Sequence, residues 1–439
     1  MQPDVKTHRA RRNRLLKALG EGVLILATAP ETVRNRDAHY PYRFDSHFYY
    51  LTAFPEPEAV LVLIAAGDKN ARPKQILFCR EKNAEREIWD GFRYGPRAAK
   101  EAFGFDAAYS YAELDKRLPQ LLENQPRVCY PFGTDAALDA RVMGWINTVR
   151  GKVRAGVTAP GALTDAHALI DDMRLFKDAH EVDLMQRAAD ISAQGHIAAL
   201  RACRPGKGEW EIEAELLAAF RRGGCEAPAY TSIVAGGANA CVLHYVSNDK
   251  PLNDGDLLLI DAAGEYHGYA ADITRTFPIN GRFSGPQRDA YEIVLAAQAA
   301  AIEAVKPGSH WNDPHEAALH VLTRGMVDLK LLTGEVDGLL EQEAYKPYYM
   351  HRTGHWLGLD VHDVGEYKRD GDWRDLEPGM ALTVEPGLYI RPGKGVPTHL
   401  ENIGIRIEDD VLVTQDGRRV LTSAAPKSIQ AIEEAMRGD

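Results

Sequence analysis

An apolar strand that ends in a carboxylate is costly to bury unless the acid is protonated, hydrogen-bonded or met by a cation, because an unpaired buried charge opposes the strand's burial. The C-terminal half of the chain holds two such strands with one spacing. In NDGDLLLIDAAG (253 to 264) Gly255 precedes Asp261 by six positions, and in EPGMALTVEPG (377 to 387) Gly379 precedes Glu385 by six. Each segment runs turn, glycine, apolar strand, carboxylate. A turn followed by a strand is common. An acid at the same place in both suggests a duplicated architecture whose halves deliver acids to one shared centre.

More acids follow the first. In DLLLIDAAGEYHGYAADITRTF (256 to 277) two strand-like runs flank EYHG, and the midpoint between Asp261 and Asp272 falls between Tyr266 and His267. A tight hairpin centred there makes the two aspartates direct cross-strand partners, with Cβ atoms about 5 Å apart. Carboxylates that close repel unless one is protonated or a cation bridges them. Further on, NIGIRIEDDVLV (402 to 413) alternates so that Arg406 and Glu408 share one face and Ile405 and Ile407 the other. Taken alone, IEDD there is an exposed acidic strand end.

The stretch HRTGHWLGLDVHD (351 to 363) adds His351, His355 and His362. The four-residue spacing of the first two would suit a zinc-binding helix, but Gly354 and Gly358 favour a loop or strand. Oxygen donors outnumber imidazole in this set, so the centre should favour manganese, cobalt or iron over a nitrogen- and sulfur-rich zinc geometry.

At 439 residues, two domains are expected. Runs such as GVLILATA (22 to 29), EAVLVLIAA (58 to 66) and KQILFC (74 to 79) alternate with helical patterns up to about residue 170, as in an α/β domain. From Met173 to Cys203 the pattern becomes that of one long amphipathic helix, which sets a boundary near Asp172 to Lys177. The net charge of −11 argues against nucleic acid as a partner. Five scattered cysteines without CxxC spacing argue for reduced, buried thiols. The basic N-terminal stretch MQPDVKTHRARRNRLLKAL has no apolar run behind it, and no membrane span is expected. The cytoplasm is the expected compartment.

The ordered set Asp261, Asp272, His355, Glu385 and Glu408, with the strings DITRTF, HWLGLDVHD, TVEPGLYI and GIRIEDD, resembles the two-metal "pita-bread" peptidases of the aminopeptidase P family. The likeness extends to RNRDAHYPYRFDSHFYYLTAFPEPEAVLVL (34 to 63), which resembles that family's N-terminal domain. The resemblance implies an α/β N-terminal domain over residues 1–174, serving oligomerisation and substrate access. An α+β pita-bread catalytic domain with pseudo-two-fold duplicated halves is implied over 175–439. It also implies two divalent cations, most simply Mn2+, held by Asp261, Asp272, His355, Glu385 and Glu408, with Asp272 and Glu408 bridging.

By the same resemblance, Glu385 moves the proton of the attacking water, and His244 and His362 contact the substrate carbonyl or stabilise the intermediate. His351 lines the pocket of the proline ring. Tyr230 belongs to the substrate-binding set, and Arg406 and Tyr389 hydrogen-bond ligand carboxylates. Trp89 reaches a neighbouring subunit in a homo-oligomer, a dimer or tetramer. The implied substrates are peptides with proline second. His47, Ala53 and Thr231 depart from residues frequent in the family. A prolidase restricted to dipeptides, a non-enzymatic binding protein of the same fold, and a two-metal phosphoesterase remain as alternatives.

Overall fold

The structure is a computed structural model and describes residues 4–67 and 72–438. Residues 1–3 of the N-terminal stretch lie outside the described residues. The chain parts into two compact units between Met173 and Arg174.

In the first unit six strands form one sheet, in the order Ala107–Ser110, Lys74–Cys79, Val60–Ile64, Val23–Ala27, Arg127–Tyr130 and Ala162–Asp165. The three apolar runs read from the sequence are its three adjacent antiparallel strands, and the outer strands join them in parallel. Val23, Ile25, Val60, Val62, Ile76 and Phe78 pack with Leu114, Leu118, Val142 and Ile146 of the helices Leu114–Leu122 and Ala136–Arg150. The alternate residues Leu24, Leu61, Leu63 and Leu77 are equally buried, so both faces of the sheet are covered. That is why these runs are continuous and do not alternate. The short helix Ser46–Thr52 ends at Ala53 with φ +53°, a left-handed cap that glycine adopts without strain.

In the second unit, the single helix expected from Met173 to Cys203 is broken. One helix ends at Leu175 and the next runs Ala179–Ala202. The reason is local: Asp178 accepts from the Glu181 backbone N–H at 3.1 Å, and Glu181 accepts from that of Asp178 at 3.0 Å. This reciprocal cap starts a new helix, and amphipathic periodicity alone does not reveal it.

The hairpin after Leu257–Asp261 also corrects the sequence reading. Tyr266 pairs with Tyr269, so the two-residue turn is His267-Gly268, with φ of +49° and +81° as a type I′ turn requires. Asp261 therefore faces Thr274, and Asp272 lies two residues from its partner, at the break between Tyr269–Ala270 and Thr274–Pro278. The aspartates are diagonal neighbours on one face.

Strand Leu257–Asp261 is the centre of a three-stranded sheet with Ile233–Gly236 and Thr274–Pro278. Strand Ala381–Val384, from the second copy of the repeat, pairs with Asp409–Thr414, and Gly387–Ile390 pairs with Ile403–Arg406. What the sequence suggested as one strand from 402 to 413 is thus two, broken at Ile407-Glu408. The Glu408 backbone N–H donates to the Thr274 carbonyl at 3.1 Å, which joins the two acid-bearing regions directly. Asp409 and Asp410 are buried and do not form an exposed strand end. Arg275 donates to Asp409 at 2.8 Å, and Lys427 donates to it at 2.6 Å.

Candidate metal centre

His355 reaches the acids because its loop lies along strand Ala381–Val384. The Thr383 backbone N–H donates to the His355 carbonyl at 2.9 Å, and that of Glu385 to the Thr353 carbonyl at 2.8 Å. The approach depends on Gly354, where a Cβ would stand 2.0 Å from the Thr383 carbonyl oxygen. His351 and His355 lie on this loop and not on a helix.

A cavity of about 410 Å³ opens over these groups. It is lined by Asp261, Asp272, His355, Glu385 and Glu408, and also by Tyr230, His244, His351, His362 and Arg406. Of the expected site residues, Tyr389 and Trp89 are absent from this lining. Tyr389 stands behind it, whereas Trp89 belongs to the first unit, on the helix Ala84–Asp90, where it is 82% exposed.

Donor atoms of Asp272, His355 and Glu408 lie within 4.8 Å of one another, close enough to share one ion. The His355 Nδ1 faces the Trp356 carbonyl at 2.9 Å, which directs Nε2 to the acids, 3.3 Å from Asp272 and 3.7 Å from Glu385. Held this way, a neutral imidazole presents its lone pair to the centre.

The electrostatics are those of a site short of positive charge. Burial, with the charges of Asp272 and Glu385, raises Glu408 well above the usual carboxylate range. Burial also pushes Glu385 up to about 7, although His355 and Arg406 pull it down. Asp261 is raised by burial, against Arg406 and with Asp272. For His355, burial disfavours the charged ring, but the hydrogen bond to Asp272 and the charge of Glu385 prevail and push it up to about 9. The donor set therefore fits divalent metal, four carboxylates with one imidazole.

The surrounding groups hold the acids in place. Arg406 donates to Asp261 at 2.6 Å and to Thr274 Oγ1 at 3.2 Å, and Thr274 donates to Glu408 at 2.6 Å. Tyr389 departs from expectation: its hydroxyl accepts from Arg406 at 3.1 Å and meets His351 Nε2 at 2.8 Å, with no ligand carboxylate bonded to it. Tyr230, expected among the substrate-binding groups, lines the cavity with its hydroxyl between two acids, 2.6 Å from Asp261 and 2.5 Å from Asp272. His351 is held down to about 3 by burial and by Arg406, and His362, edge-on to His355 at 4.3 Å, is lowered by burial and by that ring.

The sequence reading missed three supports. Thr274 could have been found from the period-2 pattern, two residues beyond Asp272. The other two are Asp410, which accepts from the Asp272 backbone N–H at 3.1 Å, and Thr353, whose hydroxyl lies 2.7 Å from both His315 Nδ1 and Tyr349. Neither carries a local signal.

A cavity that gathers four carboxylates and His355 on paired β-hairpins suits a divalent-metal enzyme, and residues 183–415 match metallopeptidase family M24, to which the chain belongs. Residues 8–130 match the aminopeptidase P N-terminal domain. The fold is the pita-bread fold of the aminopeptidase P branch. An Xaa-Pro aminopeptidase of Haemophilus influenzae is 45% identical over 94% of this chain and 93% of its own length. Pseudomonas aeruginosa aminopeptidase PepP superposes with a TM-score of 0.97 at 50% identity, over 100% of this chain and 99% of that one. A zinc-substituted Escherichia coli aminopeptidase P in complex with product superposes with a TM-score of 0.96 at 42% identity, over 100% and 99%. No helix among the described residues is long and apolar enough to cross a membrane, and all five cysteines are free and buried.

Proposed function

We propose that this metallo-aminopeptidase releases the N-terminal residue from peptides whose second residue is proline. The observation that carries the reading is the convergence of Asp261, Asp272, His355, Glu385 and Glu408 on one cavity. Relatives bearing the same activity in their names, at 45% identity over nearly the whole chain, support it over a dipeptide-only prolidase.

Two divalent ions, Mn2+ in this reading, would be held by those five residues, with Asp272 and Glu408 shared between them. When bound, they supply Lewis acidity and lower the pKa of water toward neutrality. Glu385 takes the proton of the attacking water and hands it to the prolyl nitrogen, which carries no hydrogen of its own in the imide and cannot leave without one. His244 and His362, on the cavity wall, donate to the scissile carbonyl as charge develops on its oxygen. His351 walls the proline subsite and is fixed by Tyr389, which Arg406 fixes in turn.

In this reading the first domain, expected over residues 1–174, serves assembly and substrate access. Trp89 at 82% exposure, with Ile88 at 81%, supports a contact with another copy in a dimer or tetramer. The buried thiols support a cytoplasmic, reducing setting.

The test is release of the first residue from an Xaa-Pro-Xaa tripeptide and from the matching dipeptide, with manganese restored after chelation and Glu385→Ala as control. Metal-dependent cleavage of the tripeptide, weak on the dipeptide and lost in the variant, is expected. Cleavage confined to the dipeptide would make the protein a prolidase, and cleavage of neither would defeat the reading.

A further inference from the structure

The cavity contains one charged group for which the chemistry above has no use. Arg352 lines it, between His351 and the buried Thr353, and its side chain is exposed. Every other cation on the lining faces a carboxylate or is a histidine: Arg406 is paired with Asp261, and His355 with Asp272. Among the described residues Arg352 pairs with no carboxylate. Its guanidinium donates to the Asn312 side-chain carbonyl and lies 5.0 Å from the centre of the Trp373 ring, two neutral partners that fix the group; the Asn312 amide in turn donates to Glu316 at 2.5 Å, so that acid meets the amide and not the guanidinium. Lys368 Nζ lies 4.2 Å from the same ring centre and adds positive charge beside it. The cavity is thus polarised, with carboxylates gathered at the metal centre and a fixed guanidinium elsewhere on its wall.

A short peptide is polarised in the same way. Its ammonium end must lie by the scissile bond, near the acids, which leaves its carboxylate end to seek a cation.

We infer that Arg352 is a specificity-determining residue that binds a carboxylate on the leaving side of the substrate. The inference rests on the reading proposed above and adds a preference to it. Two sources carry the same chemistry: the terminal carboxylate of a tripeptide, and an acidic side chain at the third residue of a longer peptide. A planar guanidinium held by Asn312 and an aromatic face is suited to a two-pronged contact with either.

The experiment compares kcat/KM for Ala-Pro-Ala as free acid and as C-terminal amide, and for C-terminally amidated Ala-Pro-Glu-Ala and Ala-Pro-Gln-Ala, in the wild type, Arg352→Gln and Arg352→Lys. The expected result is a wild-type preference of roughly three- to tenfold for the carboxylate member of at least one pair, as for a partly exposed charge pair. It should fall toward one in Arg352→Gln, recover in part in Arg352→Lys, and shrink as salt is added. A preference confined to the first pair assigns the terminal carboxylate, and one confined to the second assigns the side chain. Turnover with equal ratios in wild type and Arg352→Gln would overturn the inference alone. No turnover on any of the four peptides would overturn the functional reading, and this inference with it.

Discussion

Asp272 stands at the most connected point of the centre: its carboxylate meets Tyr230 and His355, and its backbone N–H meets Asp410. In the proposed arrangement it is shared by both ions, so Asp272→Ala should lose both metals and nearly all activity. Elemental analysis after gel filtration checks this, and two metals retained per chain would contradict the assignment. His362→Ala should keep the metals and lose turnover, because that ring touches His355 but only faces the cavity. A residue with the opposite character is Ala53, whose left-handed φ of +53° strains an ordinary side chain. Ala53→Gly should stabilise the first unit by up to about 1 kcal/mol, read from the denaturant midpoint, since it relieves the clash that a Cβ makes in that conformation.

Between residue and molecule stand the elements, and here the loop 351–355 does most to shape the centre. Thr353 links it to the strand through its carbonyl and to His315 and Tyr349 through its hydroxyl. Thr353→Val removes only the hydroxyl links. It should lower kcat by about tenfold or more with little change in KM, while Thr353→Ser restores the rate, as expected where a group acts by orienting ligands. If the threonine matters only for packing, valine will be the better replacement and serine the worse. Elements also show what the sequence could and could not disclose. The strands of the first unit and the acid-bearing strands of the second were legible because apolar runs and period-2 alternation are local patterns. The break at Asp178 was missed because a capping box competed with helical periodicity. The hairpin register was missed because the sum of apolar positions fits a turn at Tyr266-His267 as well as at His267-Gly268, and only the positive φ demanded by a type I′ turn decides between them. Asp261, Asp272, Glu385 and Glu408 stand out from strand patterns and His355 from its histidine-rich stretch, whereas their union as one ligand set rests on family resemblance; Thr353 and Asp410 escape notice because they act over long sequence separations.

For the molecule as a whole, charge burial sets a limit on acid tolerance. Asp363 is buried with Lys177 Nζ at 2.8 Å and Arg174 beside it. Burial raises its pKa, but Lys177 and Arg174 outweigh that and hold it below the usual carboxylate value. A carboxyl depressed on folding contributes stability at pH values above its unfolded pKa, and that contribution is lost as the pH falls through the folded pKa. The second unit should therefore lose stability on acidification below the ordinary carboxylate range. Asp363→Asn should cost about 3 kcal/mol at neutral pH, because it leaves buried Lys177 without its carboxylate and takes one carboxylate from Arg174, which keeps Asp360 at 2.8 Å. It should also flatten the acid limb, as urea titrations at pH 7 and pH 3 would show.

The two-residue turn at His267-Gly268 has a further consequence, for how such a chain can change over generations. Ten residues separate Asp261 from Asp272, and the strands on either side count them off in alternating directions. One residue gained or lost there would turn the second carboxylate to the opposite face of the sheet. Point substitutions in this interval can be absorbed one at a time, but its length cannot drift. Insertions that alter the range of peptides accepted must accumulate elsewhere, in loops that do not measure the distance between two acids.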